Sequence, residues 1–111
     1  MEAGGAIIYS GDSRWEKSLT MPRKPNRNPS DFYPQEEISS NHWGSAVIAV
    51  VVEADGRISW EAILKSSGHK GLDDAALKWA KSTRFKSPAT LDSKPVRVFM
   101  VLSAGFNLVR G

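Results

Sequence analysis

The stretch AVIAVVVEADGRISWEAILK, residues 46–65, decides the fold. Ala46 to Val52 is rich in β-branched residues and runs into Asp55-Gly56, a pair that supplies the positive φ of a tight hairpin turn at little cost. The returning residues alternate: Ile58, Trp60, Ala62 and Leu64 are assigned to one side, Ser59, Glu61, Ile63 and Lys65 to the other. Period two marks a strand, so the segment reads as an antiparallel hairpin.

Beyond it the period changes. Ser66-Ser67-Gly68 lets the chain leave the strand, and Leu72, Ala75, Ala76, Trp79 and Ala80 then fall on one helical face. Asp73 and Asp74 near its start, with Lys78, Lys81 and Arg84 near its end, complement the helix macrodipole. Pro88 and Asp92-Ser93 mark a loop, and Pro95 opens a final apolar run through Val96 to Leu102, with Gly105 read as a bulge or bend. A proline opening a strand places that strand at a sheet edge. Upstream, Pro34 followed by Gln35-Glu36-Glu37-Ile38 predicts a helix of one or two turns. The predicted class is α+β: a three-stranded antiparallel sheet, a main helix on one face and a short N-terminal helix.

Residues 1–30 differ in texture. Pro22, Pro25 and Pro29 alternate with basic residues and asparagine, so Met21 to Ser30 reads as an extended linker or arm. Ala6 to Tyr9 has room for one short strand, and Trp15 and Leu19 are apolar enough to pack. Residues 31–111 then form the domain.

With 111 residues, 41% of them hydrophobic, the chain suits one domain with a core. A net charge of +3 without a basic block argues against nucleic acid as partner. The absence of cysteine removes disulfides, thiol catalysis and thiolate metal sites. No apolar run approaches the roughly 20 residues of a membrane helix, and the start lacks the basic-then-apolar pattern of a signal peptide. Either the chain stays where it is made or it is part of something longer.

Chemistry-bearing constellations are weak. Gly11-Asp12-Ser13 lacks the strand-turn-helix context of a nucleophilic serine. His42 and His69 lack metal-ligand spacing and read as surface or capping residues. Lys78, Lys81, Arg84 and Lys86 read as solvated helix charges. No enzyme, cofactor or metal is expected. Of the four tryptophans, Trp43 and Trp60 are the candidates to anchor a partner.

In order and spacing, the chain resembles the TonB C-terminal domain family of energy transducers. The resemblance rests on Tyr33-Pro34, Gly44, Asp55-Gly56, Ser66-Ser67-Gly68, Leu72-Asp73 with Ala75-Ala76, Arg84-Phe85 before Pro88, Pro95-Val96 and Phe106. It covers roughly Tyr33 to Leu108 and implies a noncatalytic protein-binding module. In the family, an extended transporter segment, the TonB box, adds as a strand beside the last strand, here Val96 to Phe106. Main-chain pairing of this kind demands little of the partner's sequence. The implied contact residues are Val96, Arg97, Val98, Phe99, Met100, Val101, Leu102 and Ser103. Asn28, Pro29, Tyr33 and Gln35, around the turn that leads into the domain, join them.

The resemblance implies an outer-membrane transporter or other envelope protein as partner. It implies a periplasmic location if the chain belongs to a membrane-anchored parent, and a cytoplasmic one if Met1 is the true start. Relatives usually carry a membrane helix and a proline-rich spacer, which this sequence lacks. The alternative is therefore a free-standing module acting as adaptor or inhibitor. Two departures bear on the sheet. Trp60-Glu61 reverses the family's usual polar-then-apolar order, so the second strand is expected to lack the family's irregularity. Val47, Ala49 and Val51 also oppose Ile48, Val50 and Val52, leaving both faces apolar and needing cover. The candidate covers are the N-terminal segment with Ile7, Ile8, Trp15 and Leu19, or a second copy in a homodimer.

Overall fold

The computed structural model describes the backbone of residues 8–9 and all of residues 19–108. Strands β1 (Ile8–Tyr9), β2 (Leu19–Thr20) and β3 (Arg23–Pro25) precede a 3-10 turn (Pro29–Phe32) and helix α1 (Gln35–Ser39). The hairpin β4 (Gly44–Val52) and β5 (Ile58–Lys65) leads into α2 (Lys70–Ser82). Three short strands come next, β6 (Phe85–Ser87), β7 (Thr90–Leu91) and β8 (Lys94–Pro95), before β9 (Val98–Phe106). None of the described helices is long and apolar enough to cross a membrane.

The α+β class holds. The three expected antiparallel strands stand in the order β9-β4-β5, and β1 adds a fourth, parallel to β9, through Ile8 opposite Val98 and Tyr9 opposite Phe99. Ile48, Val50, Val52, Val98 and Phe106 pack on one face against Leu72, Ala76 and Trp79 of α2. Burying an aliphatic side chain of this size contributes about 1.5–3 kcal/mol, so this layer dominates stability.

The β5 alternation is corrected. Its register on β4 shifts twice: Val52 faces Ile58 but Val51 faces Trp60, and Ile48 faces Ile63 but Val47 faces Lys65. Ser59 and Leu64 are the extra residues. Each extra residue flips the side chains downstream of it to the other face, so Ile58 and Ile63 share the helix side while Trp60 and Ala62 lie opposite. The strand is thus irregular twice, where Trp60-Glu61 had suggested it would run evenly.

The final strand is also shifted. Pro95 belongs to β8, a partner of β7, and β9 begins at Val98. Between β7 and β8, Asp92 and Ser93 both adopt positive φ, at 51° and 69°. That is the backbone of a two-residue hairpin turn, built without the glycine that would have signalled it.

Met21 to Ser30 is extended but docked. β3 pairs with β6, the Asn26 N–H donates to the Arg84 carbonyl (2.9 Å), and the Trp79 Nε1–H donates to the Arg27 carbonyl (2.8 Å). Leu19 packs against the core. The other proposed N-terminal covers, Ile7, Trp15 and the Ile8 side chain, lie outside the described residues, as does Gly11-Asp12-Ser13.

Candidate functional site

β9 is long, apolar and at the outer side of the antiparallel sheet. Its helix-side residues, Val98, Met100, Leu102 and Ala104, pair across β4 with Val52, Val50, Ile48 and Ala46. Phe99, Val101 and Ser103 point to the opposite face. The expected contact residues therefore divide between two sheet faces, and what they share is the main-chain edge. β1 pairs with that edge at Val98 and Phe99; among the described residues, no strand pairs with it from Met100 to Phe106.

Val96 and Arg97 precede the strand. The Val96 N–H donates to the Ala89 carbonyl (2.9 Å), and Arg97 Nε lies 3.1 Å from Glu53 Oε2. Both hold the approach to β9, so they sit beside the edge and not on it.

At the other end of β9, the 3-10 turn closes over Phe106. Tyr33 meets the Phe106 ring edge-on, with centroids 5.3 Å apart and planes at 68°. Its hydroxyl donates to the His42 carbonyl. Burial, and then the nearby Glu37 carboxylate, push the Tyr33 phenol above its usual pKa, keeping it a neutral donor. An open groove here is lined by Ser30, Tyr33, Ile38, Asn107 and Leu108. Sequence reading singled out Tyr33 but missed Ser30, Ile38, Asn107 and Leu108. The exposed Ile38, an apolar residue in a short polar helix, was the available signal.

Asn28, Pro29 and Gln35 stay on their own elements. The Asn28 N–H donates to Asp31 Oδ2 (3.1 Å), Pro29 opens the 3-10 turn, and the exposed Gln35 reaches Ser39 Oγ at 3.4 Å. Trp43 and Trp60 are both exposed, at 63% and 48%. Trp60 lies over the outer sheet face, where it and Phe99 flank Val51, so part of the apolar second face is covered by the sheet's own side chains.

Known proteins share this fold. The Gram-negative bacterial TonB protein C-terminal family matches residues 29–108. Protein TonB of Neisseria meningitidis serogroup C is 34% identical over 70 residues, and that of Neisseria gonorrhoeae 33% over 70. These alignments cover 62% of this chain and 25% of the relatives, so the chain spans about a quarter of their length. The solution structure of the Pseudomonas aeruginosa TonB C-terminal domain superposes with a TM-score of 0.58 at 17% identity. It covers 95% of this chain and 97% of the neighbour, a likeness of fold. With the family matching most of the chain and the fold agreeing, this chain belongs to the TonB C-terminal domain family.

Proposed function

We propose that this chain is the noncatalytic, partner-binding end of a TonB-type energy transducer, acting in the periplasm. It receives an extended peptide of an outer-membrane transporter by strand addition along β9. The observation that carries this reading is β1: a short segment from a distant part of the chain pairs with the outer edge of β9. An edge that accepts one added strand offers the same main-chain groups to another. A peptide running parallel to β9, as β1 does, would meet Tyr33 and Ile38 beyond Phe106, where the groove offers its side chains a partly apolar seat.

Because β1 holds part of this edge, a longer peptide must displace it or begin after Phe99. The test is a titration of the isotope-labelled chain with synthetic TonB-box peptides, following backbone amides by NMR. Saturable shifts along Met100 to Phe106 support strand addition. Their absence at millimolar peptide, with the fold intact, overturns it.

A further inference from the structure

Both histidines of this chain meet. His42 lies just after α1 and His69 just before α2, yet their rings stack with centroids 4.0 Å apart and planes within 12°. Glu37 of α1 joins them, its Oε1 3.1 Å from His42 Nδ1. One ligand atom from each of the three lies within 4.8 Å of the others.

The surroundings fix this cluster. Glu37 is only 16% exposed and lies so close to α2 that a Cβ on Gly71 would come within 2.6 Å of its Cδ. The His42 N–H donates to the Glu37 carbonyl (2.9 Å), while its own carbonyl accepts the Tyr33 hydroxyl. His69 is pinned by Ser67, whose Oγ accepts the His69 N–H at 3.2 Å.

We propose that Glu37, His42 and His69 form a binding site for a divalent transition-metal ion of the zinc type. Two imidazoles and a carboxylate are a donor set that such ions take, with a fourth position left to water. Ligands about 2.0–2.1 Å from a tetrahedral centre stand about 3.4 Å apart. A cluster within 4.8 Å needs only a small contraction to reach that spacing. The stacked rings must turn about χ2 so that their lone pairs converge, and at 38% exposure His42 has room to do so.

The positive end of α2 opposes a cation here, but the Glu37 carboxylate and Asp73 of the first helical turn offset it. The chain offers an imidazole-seeking ion no second pair of histidines and no thiol. None of the three ligands belongs to the β9 edge, and zinc binding is read with no peptide present, so failure of one reading is distinguishable from failure of the other.

Calorimetric titration of the full chain with zinc chloride is expected to give one-to-one binding, and magnesium chloride none. His42→Asn and His69→Asn should each weaken zinc binding by more than about 10-fold, and asparagine is itself well suited to the start of α2. In the unaltered chain, the ring proton resonances of both histidines should move together with zinc, a readout that requires no variant. No saturable binding at millimolar zinc, a response from one histidine alone, or unchanged affinity in the folded variants would each overturn the site.

Discussion

Gly56 and Phe85 are joined backbone to backbone: the Phe85 N–H donates to the Gly56 carbonyl at 2.9 Å. Gly56 has φ +91°, and a Cβ placed there would stand 2.1 Å from the Phe85 carbonyl oxygen. The hairpin turn is thus also the lock between β5 and the start of β6. Gly56→Ala should lose about 2–4 kcal/mol, through left-handed strain plus a clash that only backbone movement relieves. A fall in the urea midpoint with an unchanged m-value would be the signature. A loss under about 0.5 kcal/mol would show that the contact yields easily.

Trp79 ties the arm to the helix through its indole N–H and the Arg27 carbonyl. Trp79→Phe keeps most of the apolar volume but removes the donor, at an expected cost of about 0.5–1.5 kcal/mol. Hydrogen exchange at the Asn26 amide should accelerate, since its bond to Arg84 depends on the same docking. Unchanged protection at Asn26 would mean that β3 and β6 hold the arm without Trp79.

Asp73 organises the turn before α2. Its Oδ1 accepts the Ser67 N–H (2.8 Å) and the Ser67 hydroxyl (2.7 Å), while Ser66 donates to Oδ2. Burial pushes the Asp73 pKa up, but these hydrogen bonds outweigh it and hold the carboxyl below its ordinary value of 3.8. A depressed folded pKa stabilises above the unfolded value, and that contribution is lost as pH falls below about 4 through the folded pKa. Asp73→Asn should cost about 1–2 kcal/mol at neutral pH and less at pH 2. Denaturation at the two pH values measures the difference; an equal loss at both would remove the charge from the account.

Trp60 and Phe99 stand 6.3 Å apart on the sheet face away from α2, each opposite Val51 on β4. Trp60→Ala should uncover this row and destabilise by about 1–2 kcal/mol, less than a fully buried aromatic because Trp60 is 48% exposed. Sedimentation of the same variant reports on a second copy as cover: a weakened dimer would assign Trp60 to an interface. A wild-type monomer at high concentration would exclude that role.

Deleting residues 1–18 removes β1 from the β9 edge. If β1 competes with the peptide, the shortened chain should bind TonB-box peptides about 5–30-fold more tightly, the equivalent of one or two net hydrogen bonds. Fluorescence anisotropy with the labelled peptide measures the ratio. Equal affinity would place the peptide entirely beyond Phe99.

Much of this fold was legible because local chemistry and global packing agree. Asp55-Gly56 makes its turn, the apolar stripe from Leu72 to Ala80 makes α2, and the β-branched run makes β4. Where they disagree, the reading failed. Ser59 and Leu64 carry no sign of being bulged residues, and Asp92-Ser93 turns a hairpin with positive φ that favours glycine. Tyr33 was singled out through family resemblance, and the groove residues around it come from segments at opposite ends of the domain.

The sequence by itself determined the hairpin, the main helix, a final apolar strand at the edge of the antiparallel sheet, and the family, because these arise from periodicity, turn residues and their order. Tertiary structure alone decided that β1 lies against that edge and that His42 and His69 stack beside Glu37. Such pairings join residues distant in the chain, and no local pattern encodes a distance that only packing sets.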